Sequence, residues 1–343
     1  MKKLIMIVTT IFLGILLLFK SDNIKKLDST EVDSVIINNE IINDNSYIAV
    51  DKEQNFRIIS DEIEKISGYY PNFFRTIIQA DMKIPIVGNM VPQGIALMDE
   101  YVLISAYDSE EKHNSLVYVL DDYGNIINEV NLGNKSHVGG LAYDKNNNLL
   151  WIPDDNGILN AYVASDFLDK TKVKYKYRFV NVGENLKDFM DDEKKLIAFV
   201  TMDDEYIYLG NFSKDSESIV KKYRVINKGD KIKLNYVNSF MVPAKTQSIT
   251  FFNKGLKKYM ITSNSYQRRK SSYIKVFEYS EMQTRYNKEL ASIELPPMLE
   301  QIAVSNNSVY SIFESKAKKY NNCPEKVEFI CVLDIYKVLE NIS

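Results

Sequence analysis

A short apolar segment recurs five times in this chain, at intervals of about fifty residues. The copies are PQGIAL at 92, VGGLAY at 138, KKLIAF at 194, TQSITF at 246 and LEQIAV at 299. Their second residues are Gln93, Gly139, Lys195, Gln247 and Glu300, spaced 46, 56, 52 and 53 residues apart. Internal similarity at such a period indicates that one supersecondary unit is stacked repeatedly.

The unit contains four strands. In residues 91–144 the apolar runs QGIALM, YVLISA, SLVYVLD and NIINEVNL are separated by Asp, Glu, Asn and Gly, and the pattern then restarts as HVGGLAYD. Short apolar runs bounded by turn-forming residues predict β-strands. The first three runs are almost continuously apolar, whereas the fourth alternates.

Continuous apolar strands require a sheet that is covered on both faces, whereas a two-layer sandwich would alternate throughout. Four-stranded sheets arranged around a common axis meet this requirement. We therefore predict an all-β fold, a β-propeller of five blades. Six blades, with residues 23–80 forming the additional one, is the alternative.

The last repeat has three strands and ends near Ile335. We expect KIPIVG, at 83–88, to supply its fourth strand, because a ring closed by its own N-terminal strand leaves no open sheet edge. The predicted organisation is then an N-terminal segment over 1–22, a leader with a short helix over 23–80, and the propeller over 81–343.

The N-terminal segment has the layout of an export signal. Lys2 and Lys3 precede an apolar run from Leu4 to Phe19. Sixteen helical residues reach only ~24 Å of a ~30 Å hydrocarbon layer, and no clear cleavage site follows. A removed signal peptide and an uncleaved membrane anchor both remain open, and either predicts an extracellular protein, secreted or anchored.

Charge and cysteine content limit the partners. With 43 basic and 46 acidic residues, the chain offers no single-sign field for nucleic acid. We expect a monomer that meets the membrane only through its N-terminal segment and binds an extracellular protein, peptide or glycan. Cys323 and Cys331 are the two cysteines. Their short separation and the exported compartment predict a disulfide across a hairpin.

The first strand of each blade lines a propeller's central channel. Gln93, Lys195, Gln247 and Glu300 would therefore form a polar ring near one mouth, with a gap at Gly139 beside His137. Polar groups converging on a gap make a candidate ligand site. The structural alternative is that these groups bond one another, as in a Lys195–Glu300 ion pair.

These motifs resemble the plant-type glutamine cyclotransferases. The resemblance rests on Gln93-Gly94-Ile95, a serine-containing second strand, the third strand SLVYVLD, and a partial echo in Thr246-Gln247-Ser248-Ile249. It implies a five-bladed propeller and closure of N-terminal glutamine to pyroglutamate. The family's E-G-L motif, whose acid looks catalytic, is replaced here by Gly139-Gly140-Leu141. Glu300 offers an acid elsewhere on the ring.

A looser similarity to propeller lactonases suggests Ca²⁺ in the channel, although we expect no cofactor. The acidic pairs are Asp121-Asp122, Asp154-Asp155, Asp191-Asp192 and Asp203-Asp204. Most lie in turn sequences, where Asp bonds local backbone, and turn chemistry is favoured over metal ligation.

Two further features lie in loops. His113 is expected to be solvated. The basic loop Gln267 to Lys270 is either a solvated tip or a contact for an anionic polymer or lipid headgroup.

Two function hypotheses follow. The first is an exported or surface-anchored propeller that acts as a binding module for an extracellular ligand. The alternative is a channel-sited enzyme, either a glutaminyl-cyclase-like acyltransferase or a metal-assisted hydrolase. No residue is assigned a catalytic role from the sequence.

Overall fold

The strands of the computed structural model form five four-stranded sheets within the described residues, which are 36–37, 40–41, 61–180, 182 and 197–340. The chain divides into Met1–Gln54 and Asn55–Ser343. The first unit contains an antiparallel pair, β1 (Ile36–Ile37) and β2 (Glu40–Ile41). The second contains the five sheets.

Each sheet is one blade, and in the first four blades the strands follow chain order from the innermost strand outward. Blade one has β4 (Met90–Met98), β5 (Tyr101–Asp108), β6 (Leu116–Leu120) and β7 (Ile126–Asn131). Blade two has β8 (Ala142–Asp144), β9 (Leu149–Asp154), β10 (Ile158–Val163) and β11 (Tyr177–Phe179). Blade three has β12 (Phe199–Asp203), β13 (Tyr206–Gly210), β14 (Ser218–Asn227) and β15 (Ile232–Val242). Blade four has β16 (Thr246–Lys254), β17 (Lys257–Asn264), β18 (Ser272–Tyr279) and β19 (Glu289–Leu295).

Blade five combines the two ends of the second unit. It has β20 (Leu299–Ser305), β21 (Ser308–Phe313), β22 (Cys331–Asp334) and, from the beginning of that unit, β3 (Ile77–Gln79). The described residues contain the helices α1 (Asp61–Ile66), α2 (Pro71–Thr76), α3 (Asp166–Asp169) and α4 (Ile335–Glu340). They also contain short 3₁₀ turns at Lys145–Asn147, Asp155–Gly157 and Lys318–Tyr320.

The innermost strands close a ring. β4 contacts β8, β8 contacts β12, β12 contacts β16, β16 contacts β20, and β20 returns to β4. The fold is therefore a five-bladed β-propeller, which confirms the predicted fold class and blade number.

Burial explains why the first three strands of a blade are apolar. In blade one, β4, β5 and β6 are buried almost throughout, whereas β7 is largely exposed. Adjacent blades pack face to face, as Leu103 and Val119 of blade one do with Leu150 and Ile152 of blade two. Because only the outer strand reaches solvent, only that strand alternates.

The predicted closure by an N-terminal strand is confirmed, but KIPIVG is not that strand. Ile77 and Gln79 of β3 pair with β22, while Lys83 makes an isolated bridge to Phe329. Ile84 still donates its N–H to the carbonyl of Glu328 at 2.8 Å. Pro85 then lacks the N–H that a continuing ladder needs. The closing strand thus lies within the segment assigned to the leader.

The predicted disulfide is wrong, because both cysteines are free and buried. Cys331 opens β22, and its Sγ lies 3.6 Å from the carbonyl oxygen of Phe329. Cys323 lies in the loop between β21 and β22, and its Sγ donates to the carbonyl of Arg268 at 3.3 Å. The sequence suggested a hairpin, but Cys323 is on no strand and so has no cross-strand position opposite Cys331.

The proposed export signal at 1–22 lies outside the described residues. Across the part of the chain that the structure describes, no helix has the length and apolar character needed to cross a membrane.

Candidate functional site

The polar residues predicted to ring the channel lie on β-bulges. The ladder between β4 and β5 skips Gln93, and the ladder between β16 and β17 skips Gln247. In blade five the ladder skips from Leu299 to Ile302, which leaves out Glu300 and Gln301. A bulge frees a residue from the ladder and re-aims its side chain, here at the same end of three inner strands.

These residues meet at one mouth of the channel, in a cavity of about 340 Å³. Of the predicted ligand-binding residues, Gln93, His137, Gln247 and Glu300 line it together with Gly139. Lys195 lies outside the described residues, and so does any ion pair that it makes with Glu300. The structure therefore brings the described members of the ring to one place.

Gly139 does not leave a gap. A Cβ at this position would lie 2.4 Å from the carbonyl oxygen of Ala198, in blade three. The absent side chain therefore allows two neighbouring blades to approach closely, rather than creating space for a ligand.

Gln301, the neighbour of Glu300, closes the channel below the cavity. Its Oε1 accepts from the N–H of Ile95 at 3.0 Å and of Leu141 at 2.8 Å. Its Nε2 donates to the carbonyls of Leu141 at 2.8 Å and Val200 at 3.1 Å. One buried amide uses its full hydrogen-bonding capacity to join blade five to blades one, two and three.

Glu314 is the most deeply buried of the described acids in the cavity, and it is not among the site residues predicted from the sequence. This residue directly follows β21, and its Oε2 accepts from Nε2 of Gln93 at 2.8 Å. Hydrogen bonds also join its carboxyl to Glu300 and Tyr320. The end of each second strand would have been the signal, because Tyr107, Asp154, Phe212 and Ser265 also line the cavity from that position.

Burial raises the pKa of the Glu314 carboxyl above its ordinary value. Hydrogen bonds and the charge of Lys319 act in the opposite direction, and burial outweighs them. Glu300 is also buried, at 8% exposure. Two hydrogen-bonded carboxyls in a poorly solvated site favour retaining a proton between them, because two adjacent negative charges repel.

Aromatic side chains form one wall of the cavity. The rings of Tyr107 and His137 lie 4.3 Å apart between centroids, and Nζ of Lys319 donates to the Tyr107 hydroxyl at 2.7 Å. Burial, followed by the charge of Glu314, raises the pKa of both Tyr107 and Tyr320. These phenols remain neutral and present hydrogen-bonding hydroxyls beside the acids.

The backbone of the mouth is strained at three of the described lining residues. Val138 has φ 48°, Gln267 has φ 78° and Met298 has φ 70°, although none is glycine. A non-glycine residue in this region costs of order 1–3 kcal/mol. Val138 and Met298 precede inner strands, and Gln267 lies in the turn between β17 and β18.

Hydrogen bonds to neighbouring backbone groups in turns explain the acidic pairs Asp121-Asp122 and Asp154-Asp155. Asp154 accepts from the N–H of Asp155 at 2.7 Å and from the hydroxyl of Ser136. Asp121 accepts from the N–H groups of Tyr123 and Asn125. Asp191 and Asp192 lie outside the described residues. Elsewhere in the described ranges, no three His, Cys, Asp or Glu side chains gather as a metal site.

His113 is exposed, as expected, but it also contacts the buried Asp108. Its Nδ1 lies 2.7 Å from Oδ2 of the buried Asp108, and its N–H donates to the same oxygen. Burial alone would raise the pKa of Asp108, yet these bonds and the N–H of Glu110 lower it. His113 therefore belongs to a loop-ordering contact and does not line the cavity.

No protein family model matches the chain, and no curated protein matches it. Among solved structures, Sqt1 from Saccharomyces cerevisiae is 10% identical, over 67% of this chain and 59% of that chain, with a TM-score of 0.36. A nidogen–laminin complex matches at 11% identity, over 68% and 73%, with a TM-score of 0.36. The Cps50 (Swd1) β-propeller domain of Myceliophteria thermophila matches at 11%, over 71% and 83%, with a TM-score of 0.38. We draw no conclusion from likenesses this weak.

Proposed function

We propose that this protein is an exported or surface-anchored propeller that binds the free amino end of an extracellular peptide or protein segment in the mouth cavity. One observation carries the proposal. Bulged polar side chains from blades one, four and five converge on a single cavity, and the wall of that cavity contains the buried carboxyl pair Glu300 and Glu314.

An ammonium group suits this pair. A ligand that brings a positive charge and several N–H donors would stabilise the ionised form of both carboxyls, so that the shared proton could leave. The rings of Tyr107, Phe212, Tyr266 and Tyr320 line the same cavity, and aromatic faces attract cations. A volume of about 340 Å³ accommodates the first one or two residues of a peptide.

The extracellular setting rests on the N-terminal segment alone. The basic and apolar stretches of residues 1–22 are the reason to place the ligand outside the cell.

Peptide binding tests the amino-end preference. Fluorescence anisotropy with a labelled octapeptide would compare a free and an acetylated N-terminus on the purified full chain. We expect acetylation, and separately Glu300→Gln, to weaken binding at least tenfold, because each removes one partner of a buried charged contact. Glu100→Gln is the matched control, since Glu100 is exposed in the turn between β4 and β5. Equal binding of the acetylated peptide would refute the proposal.

A glutamine-cyclising activity is the second candidate, and Glu314 is the observation that favours it. The resemblance implies an acid that Gly139 does not supply, whereas Glu314 offers a carboxyl with a raised pKa in the same cavity. In the reaction the α-amine nitrogen bonds to the side-chain amide carbon, the bond to the amide nitrogen breaks, and the proton leaves with ammonia.

Mass spectrometry of a Gln-initiated peptide tests this candidate by the loss of ammonia. We expect cyclisation above the spontaneous rate with the wild-type chain and none above that rate with Glu314→Gln. No acceleration by the wild-type chain would remove the enzymatic reading and leave the binding proposal intact.

A further inference from the structure

A basic groove lies beside the mouth cavity on blade four. It encloses about 520 Å³, and its positive side chains are Lys245, Arg269, Lys270 and Lys275. Arg269 and Lys270 belong to the turn between β17 and β18, whereas Lys245 precedes β16 and Lys275 lies on β18. The tertiary structure thus gathers the basic loop seen in the sequence with two lysines from other elements.

The charge of this groove is largely uncompensated. Lys275 pairs with Glu289 at 2.7 Å. For Lys245, Arg269 and Lys270 no carboxylate lies within 4.0 Å among the residues that the structure describes. The chain as a whole carries a net charge of −3, so this excess of positive charge is local. Such a patch attracts an anionic partner.

The groove adjoins the cavity, because Ser265 and Tyr266 line both. The groove also presents the hydroxyl of Ser271 and the partly exposed ring of Tyr273. A single extended ligand would therefore meet carboxyls in the cavity and then cations and hydrogen-bonding groups in the groove.

We propose that the groove binds acidic side chains that follow the amino end of the bound peptide. This inference rests on the proposed function, because it takes the peptide's first residue to sit at Glu300 and Glu314. Such a ligand carries an ammonium group first and carboxylates after it. The protein presents the opposite charges in the same order, with carboxyls in the cavity and cations in the groove.

An anionic polysaccharide fits less well. It would complement the groove, but it would bring negative groups toward Glu300 and Glu314 and would supply no ammonium. The polysaccharide is therefore an outcome to be tested rather than the expected ligand.

The experiment uses three labelled peptides on the full chain, differing only at the N-terminus and at residues 2 to 6. One has a free amine and an acidic run, the second is its acetylated form, and the third has a free amine and a Gln/Asn run. We expect the acidic free-amine peptide to bind most tightly. Its advantage over the neutral peptide should shrink as salt rises, since exposed charges are screened.

Substitution locates the effect. Arg269→Gln/Lys270→Gln should weaken the acidic peptide roughly three- to tenfold and leave the neutral peptide unchanged, since an exposed pair contributes modestly. Lys228→Gln/Lys231→Gln is the control with the same charge change, at the exposed turn between β14 and β15. Antiparallel turns alternate between the ends of a blade, so that turn lies away from the mouth.

The outcomes separate the two proposals. Equal binding of acidic and neutral free-amine peptides would overturn the groove and leave the cavity proposal standing. Equal binding of the acetylated and free acidic peptides would overturn the amino-end proposal. Displacement of the acidic peptide by a sulfated polysaccharide that itself binds through Arg269 and Lys270, with affinity unchanged in Glu300→Gln, would assign the groove to a polysaccharide instead.

Discussion

Glu300 and Gln301 are adjacent on one bulged strand, yet they serve different regions of the channel. Gln301 closes the channel with four hydrogen bonds to the backbone of three other blades. Glu300 lines the open cavity and shares a hydrogen bond with another buried acid. Gln301, the channel plug, makes hydrogen bonds only to neutral groups, and all of its donors and acceptors are used. The cavity instead contains two acids that a ligand can contact.

Buried polar residues at the axis of a propeller can therefore have either a structural role or a ligand-binding role. A buried amide with every donor and acceptor satisfied stabilises and rigidifies the fold. Two adjacent buried carboxyls destabilise the folded state, and destabilising arrangements of this kind are concentrated at functional sites. Substitutions made in each region separately test this assignment of roles.

Gln301→Ala should give the largest effect. It leaves buried N–H and carbonyl groups of three blades without a partner, so we expect the free energy of unfolding to fall by about 3 kcal/mol or more. Urea denaturation followed by circular dichroism measures the change. Gln247→Ala, which loses one bond of 3.3 Å from a half-buried side chain, should cost less than about 1 kcal/mol. Equal losses in the two variants would mean that the plug has no special structural role.

Glu314→Gln should give the second largest effect, and it should change how the free energy of unfolding depends on pH. The pKa of Glu314 is raised above its ordinary value of 4.5, so the folded state binds the proton more tightly than the unfolded state. The stabilisation is complete below pH 4.5 and is lost as pH rises through the folded-state pKa. We therefore expect wild-type stability to fall as the pH rises above 4.5 and the variant to show a flatter profile. Denaturation midpoints across this range, with Glu100→Gln as control, provide the measurement, and parallel profiles would contradict the assignment.

Gln93→Ala should give the smallest effect. The Gln93 amide donates to Glu314 and lowers its pKa, so its removal should raise that pKa further. The decline in stability should then move to higher pH, with an overall loss of about 1 kcal/mol for the missing bond. The same pH series measures both changes. A decline displaced to lower pH would show that Gln93 does not stabilise the ionised carboxyl.

Much of the fold was predictable because burial imposes a regular pattern. The five repeats of four strands and the alternating outer strand follow from side-chain direction in stacked sheets, and the repeat alignment placed Gln93, Gln247 and Glu300 at equivalent positions. These features depend on local sequence and on its repetition.

Other features were not predictable from the sequence. Glu314 looked like a strand-end residue in FESK, and only the ring places it against Glu300 and Gln93. Two errors had different origins. The closing strand lies upstream of KIPIVG, because strand register is set by pairing partners distant in the chain. The two cysteines do not face each other, because Cys323 lies in a loop rather than on a strand.

The sequence by itself determined the repeating unit and its four strands and favoured the five-fold ring over a six-fold one, because a strand buried on both faces must be apolar and that requirement is written locally. Only the tertiary structure decided which polar residue of each inner strand points into the cavity and which closes the channel. The reason is the β-bulge: by leaving Glu300 and Gln301 out of the ladder, it sends neighbouring side chains to different partners contributed by other blades.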